Sequence, residues 1–124
     1  MVFIPKTNNE LKKAADIWCN DKEKALEQYG EINTWNTINI TSMKNLFYGK
    51  MNFNDSILNW NISQVTNMAY MFYGCNKFNQ SLNNWNTSNV VDMCSIFARC
   101  KEFNQPLNNW NISQVTNIIH MFNG

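Results

Sequence analysis

Four tryptophans constrain this chain more than any other feature: Trp35, Trp60, Trp85 and Trp110 each follow the last by 25 residues. Their neighbours keep the same period. Ile32, Ile57, Leu82 and Leu107 stand before them, and Ile40, Val65, Val90 and Val115 follow, then Met43, Met68, Met93 and Ile118. Leu46, Met71, Ile96 and Met121 are each followed at once by Phe47, Phe72, Phe97 and Phe122, while Phe53, Phe78 and Phe103 close their units. Units of this size cannot bury an apolar face alone, so matched apolar columns predict repeats stacked on one another, a solenoid.

Within one unit the apolar spacing changes character. In "LNNWNTS", Leu82, Trp85 and Thr87 follow the L-x-x-L-x-L order of a leucine-rich-repeat strand, with Trp in a large apolar slot. Alternation along a strand then points Trp85 and residue 87 inward and Asn86 outward. The tryptophan column is expected in the core and not as an exposed platform for sugars. In "SQVTNMAYMFYGC", Val65, Met68, Met71, Phe72 and Cys75 have the spacing of a helical stripe. Thr66 or Ser63 suits its N-cap and Gly74 its left-handed stop, which predicts a short helix or 3₁₀ turn.

The complete template, F-N-Q-x-L-N-N-W-N-x-S-x-V-T-x-M-x-x-M-F-x-x-C, closely resembles the BspA-like leucine-rich-repeat surface-protein family, and the resemblance runs from Glu31 to Gly124. It implies an α/β architecture: a right-handed leucine-rich-repeat-like solenoid of short parallel strands and short helices, without catalytic chemistry. In bacteria such proteins are typically exported, adhesion-like surface proteins or lipoproteins; unexported versions occur in protists and large DNA viruses.

Residues 1–30 differ in composition. Thr7 and Glu10 have capping-box spacing, and Leu11, Ala14, Ala15 and Trp18 form one apolar stripe. A second helix is expected from Lys22 to Tyr29, with Asn20 or Asp21 near its start and Gly30 ending it. The chain therefore reads as an N-terminal helical cap over 1–30 and a solenoid of four 25-residue repeats over 31–124, the last incomplete.

Charge and composition exclude several roles. A net charge of +1 gives no electrostatic footprint for nucleic acid. No apolar run approaches the roughly 18 residues of a membrane span, so no membrane insertion is expected. The N-terminus lacks signal-peptide character, which points to an intracellular chain; a surface location rests on the resemblance alone. Cys19, Cys75, Cys94 and Cys100 read as reduced. Cys75 and Cys100 share a phase in adjacent repeats, so a bridge is conceivable, but a buried thiol suits the apolar position better. His120 is the only histidine, no metal-ligand cluster and no nucleophile–base set stands out, and neither a cofactor nor enzymatic activity is expected.

Two polar columns flank the tryptophans: Thr34, Asn59, Asn84 and Asn109 before them, and Asn36, Asn61, Asn86 and Asn111 after. On a parallel sheet they form either an amide ladder or a neutral face for a partner. The chain is accordingly read as an interaction module for a protein or carbohydrate ligand. The alternative is a structural element that self-associates, as a homodimer, through Ile118, Ile119 and Phe122 of the C-terminal unit.

Overall fold

The computed structural model describes all residues, Met1–Gly124. Two helices come first. Helix α1 spans Asn8–Asn20 and begins where the Thr7 side chain accepts the Glu10 N–H (3.1 Å), while the Glu10 carboxylate accepts the Lys6 N–H (2.7 Å). It buries Leu11, Ala14, Ala15 and Trp18 on one face. Helix α2, Lys22–Tyr29, is capped by Asp21, whose side chain accepts the Lys24 N–H, and ends at Gly30 with φ 74°, a conformation that glycine adopts without steric cost. A single 3₁₀ turn, Ile32–Thr34, leads into the repeats.

The repeats correct the expected α/β solenoid. Beyond that 3₁₀ turn they contain no strand and no helix; the β-type pairing consists of single parallel bridges Ser42↔Asn67, Asn67↔Asp92 and Asp92↔Asn117. The predicted strand is broken by turns: Trp85 N–H donates to Leu82 C=O and Val90 N–H to Thr87 C=O. The predicted helix is a run of consecutive β-turns. In the first unit Leu46, Tyr48 and Lys50 donate back to Met43, Asn45 and Phe47. The residues between them donate elsewhere: Met43, Asn45, Phe47 and Gly49 reach Asn67, Ala69, Met71 and Tyr73 of the next unit, at 2.7–3.1 Å. A helix needs each N–H to reach the carbonyl four residues back. Here alternate amides leave the unit, and Asn45 (φ 61°) and Gly49 (φ 72°) turn the chain into the left-handed region that no α-helix tolerates. Helix-like apolar spacing arises because each turn spans three residues.

Each unit therefore lies on the next as a rung, and like residues stack. Phe47, Phe72, Phe97 and Phe122 have centroids 5.6–5.8 Å apart with planes within 12° of parallel. Phe53, Phe78 and Phe103 form a second column at 5.6 and 5.9 Å. The two columns also meet within each rung, at 4.0–4.3 Å. Trp60, Trp85 and Trp110 are at most 8% exposed, and their indole N–H groups donate to the carbonyls of Ile32, Ile57 and Leu82 in the preceding rung (2.8, 3.2 and 2.8 Å). That bond accounts for Trp in a slot where leucine would fill the volume: a buried N–H is costly unless paired, and here each one joins two rungs. Thr37 and Thr87 do likewise, their buried hydroxyls donating to the carbonyls of Asn61 and Asn111.

Helix α1 supplies groups that a preceding rung would otherwise provide. Asn8 Oδ1 accepts the N–H groups of Thr41 and Ser42 (3.2 and 3.3 Å), and Lys12, one turn on, donates to the carbonyls of Asn45 and Leu46 (3.1 Å each). Trp18 Nε1–H and Lys22 Nζ meet the two oxygens of Asp55. Helices and rungs share one apolar core, which runs from Leu11 to Trp110.

If the indole bond matters as well as the indole volume, Trp85→Phe should lower stability by about 1–3 kcal/mol, through a smaller side chain and the loss of one of the two hydrogen bonds at the Ile57 carbonyl, which keeps the Trp60 N–H. Trp85→Ala should cost about 3–5 kcal/mol. Denaturant titration of both variants separates the two contributions; an undiminished midpoint for Trp85→Phe would remove the hydrogen bond from the account.

Candidate functional site

The asparagine columns do not form the face that a sheet would have given them. Asn36, Asn61, Asn86 and Asn111 turn their side-chain oxygens onto their own rung, each accepting the N–H two residues ahead, at Ile38, Ser63, Ser88 and Ser113 (2.9–3.2 Å). Asn61 and Asn86 also accept the Ser63 and Ser88 hydroxyls at 2.7 Å. These local turns occupy both lone pairs of the Asn61 and Asn86 oxygens and one of those on Asn36 and Asn111. Thr34 donates to the Glu31 carbonyl (2.6 Å), and Asn59, Asn84 and Asn109 are exposed, with the backbone N–H groups of Asn59 and Asn109 donating to Asn33 and Asn83.

A rung-to-rung amide ladder does exist, at other residues. Asn54 Oδ1 accepts Asn79 N–H and Asn79 Oδ1 accepts Asn104 N–H, each at 2.9 Å. The amides of Gln80 and Gln105 donate to Asn54 and Asn79 at 3.0–3.3 Å. The signal for it was the F-N-Q step that recurs at Phe78 and Phe103.

The turn run carries the more distinctive surface. Tyr48 and Tyr73 occupy one position in successive rungs and stack at 4.8 Å with planes 9° apart. Tyr70 leans on both, at 6.2 and 5.8 Å. Three of the four tyrosines thus gather on one side of the stack, with Tyr48 48% exposed. Cations surround them: Lys12 and Lys44 border the lower side of the group, and Arg99 lies with its guanidinium carbon 6.0 Å from the Tyr73 ring centre. Cys94 Sγ donates to the Tyr70 hydroxyl at 3.9 Å, and this contact raises the hydroxyl above its ordinary pKa of 10.0. No reading of the asparagine columns pointed here; the signal was three tyrosines in one stretch of successive repeats, at 48, 70 and 73.

The repeat positions of this face also hold unusual backbone. Tyr70, Ser95, Arg99 and His120 have φ between 53° and 59°, at turn positions that Asn45, Gly49, Gly74 and Gly124 fill elsewhere. Left-handed non-glycine residues cost about 1–3 kcal/mol each. Their side chains are therefore kept at a stability cost.

Candidate C-terminal contact residues are uncovered: Ile118, Ile119 and Phe122 are 55%, 60% and 60% exposed. Their counterparts one rung back, Met93 and Phe97, are buried.

Residues 19–124 match the family described as Mycoplasma protein of unknown function, DUF285. The chain belongs to this family. It is a BspA-like repeat family. No curated protein and no solved structure matches the chain. No helix in it is long and apolar enough to cross a membrane.

The four cysteines are free thiols. Cys75 Sγ donates to the Phe47 carbonyl (3.1 Å) and Cys100 Sγ to the Phe72 carbonyl (2.8 Å), so each is used as a small donor that joins its rung to the preceding one. Burial pushes Cys19 and Cys100 up from an ordinary 9.0 to about 11, and Cys75 further. A raised thiol pKa means that the folded state holds its proton more tightly than the unfolded chain. The stability this represents is complete below pH 9.0 and is lost as pH rises towards about 11. Unfolded, unreduced protein should titrate with four thiols, the folded protein should react slowly at pH 8, and the thermal midpoint should fall between pH 9 and 11. A midpoint that is flat across that interval in a Cys19→Ala/Cys75→Ala/Cys100→Ala variant and sloped in the parent assigns the loss to these groups.

Proposed function

We propose that this chain is a non-catalytic interaction module, and that it engages a protein or carbohydrate ligand through the tyrosine face of the turn run. One observation carries the reading. A stack that buries nearly every other aromatic column leaves Tyr48, Tyr70 and Tyr73 at the surface, clustered and bordered by Lys44 and Arg99, neither of which forms an ion pair. Rigid amphipathic rings on a fixed backbone provide contact area at low entropic cost, which is the usual composition of a recognition surface. The asparagine columns support this reading only from behind, by fixing the turns. Probing glycan and immobilised-protein arrays with the parent and with a Tyr48→Ser/Tyr73→Ser variant tests it. Array signals that fall at least about tenfold in the variant, with an unchanged thermal midpoint, support the face; signals that survive the double substitution overturn it.

Self-association is a second reading, favoured by the exposed apolar side of the last rung. Ile118 and Phe122 continue buried columns, so a second copy laid against them would extend the packing of the stack. Ile119 lies beside them, and Ile119→Lys adds a charge without removing a core contact. Sedimentation at high micromolar concentration should show a dimer for the parent and a monomer for Ile119→Lys; a parent that sediments as a monomer defeats this reading.

A further inference from the structure

Building on the interaction-module reading, we propose that the tyrosine face contains a binding slot for a single carboxylate-bearing pyranose, an acidic sugar, where the stack of rings is interrupted at Ala98. The column that holds Tyr48 and Tyr73 continues as Ala98 and Asn123. Tyr73 therefore has no ring above it in the third rung; the Arg99 guanidinium carbon stands 6.0 Å from the ring centre, and a cavity of about 250 Å³ opens beside the two, reaching Asn123 of the fourth rung. Rungs repeat at roughly 4.8 Å, so second and fourth rungs stand roughly 10 Å apart and leave room for one ring between them. The volume is below the roughly 300–1,000 Å³ of pockets for drug-sized molecules, which suits a monosaccharide unit.

The walls select the kind of ring. The slot is bordered by the rings of Tyr48, Tyr70 and Tyr73 and edged by polar groups: the Tyr70 hydroxyl, Ser95, His120, Asn123 and Arg99. An aromatic guest would cover the Tyr73 ring and strand those groups without partners. A pyranose has what the site lacks: one C–H face to lie on the negative face of the tyrosine, and hydroxyls around its edge for the polar wall.

Arg99 sets the charge. It is the one non-glycine residue in the column Gly49, Gly74, Arg99 and Gly124, and it holds a left-handed φ of 59°. Its side chain passes close to Gly124, where even a Cβ would come within 3.3 Å of Arg99 Cγ. None of the chain's ion pairs involves it. A guanidinium retained at a strained position, without an acid, beside a ring-sized slot matches a bidentate carboxylate on the guest.

The test uses the full chain and the methyl glycosides of glucuronic and galacturonic acid, with methyl glucoside and methyl galactoside as neutral counterparts, followed by saturation-transfer NMR. At least one acidic glycoside should bind with a Kd of about 1 mM or tighter, and at least about fivefold more tightly than its neutral counterpart. Ala98→Tyr places in the third rung the residue that the first two rungs carry, fills the slot, and should abolish binding. Arg99→Gly, which restores the residue of the neighbouring rungs, should reduce the acidic glycoside to the neutral level while leaving the fold intact by thermal melt. Equal binding of acidic and neutral sugars, binding undiminished in Ala98→Tyr or Arg99→Gly, or no saturable binding of any of the four overturns the slot. Should that happen while array signals still depend on Tyr48 and Tyr73, the slot alone is lost; loss of both removes the interaction face as well.

Discussion

Everything in the stack depends on where alternate backbone amides go. Met43, Asn45, Phe47 and Gly49 donate to the rung ahead, while the amides between them close turns within their own rung. Because every second amide is committed outward, no helix can form. Because the intervening ones are committed inward, no strand can form either. The result is a structure that satisfies its backbone across repeats without the elements usually associated with repeat proteins. It also fixes register: shifting one rung by a residue would break four outward bonds in the turn run and set Phe72 against Leu46 or Tyr48 in place of the Phe47 ring it stacks on.

Side chains extend the same logic. The tryptophan indoles donate to the rung behind, the Thr37 and Thr87 hydroxyls and the amides of the turn run to the rung ahead, and the asparagines at 54, 79 and 104 link the outer edge. Polar groups thus join rungs in both directions, and the phenylalanine columns fill the space between. Such a stack has two faces that cannot be satisfied from within. Asn8 and Lys12 of α1 meet one of them with a single acceptor and a single cation. On the other, Ile118 and Phe122 remain exposed.

The sequence alone made the period, the inward columns and the two helices legible, since these follow from apolar spacing and capping chemistry. It misled where one spacing has two causes. Val65, Met68, Met71 and Phe72 fit a helical stripe, but turns three residues long give the same order, and the deciding fact, a positive φ at Tyr70, is not something a tyrosine announces. The strand reading failed similarly: Leu82 and Trp85 point inward because a turn closes between them. The asparagine columns beside the tryptophans fit either a ladder or a partner face, while the ladder itself lies at the F-N-Q step, because side-chain bonding within a rung and between rungs look identical in a repeat. The tyrosine face was overlooked because it varies from rung to rung, and a search for a period passes over residues that depart from it.

That last point has a physical basis. Inward columns must carry nearly the same side chain in every rung, since Phe47, Phe72, Phe97 and Phe122 each form the surface on which the next one packs. Outward columns have no such obligation. Three of them run side by side along the turn face: Asn45, Tyr70, Ser95 and His120; Tyr48, Tyr73, Ala98 and Asn123; Gly49, Gly74, Arg99 and Gly124. Their variation is not what drift at a solvent-facing position alone would favour, because several of the residues present bear a left-handed backbone that glycine or asparagine would hold more cheaply. Ser95 is itself buried, but Tyr70, Arg99 and His120 carry that cost at positions open to the outside. In this chain they are presented together, on the one side of the stack where tyrosine rings are already exposed.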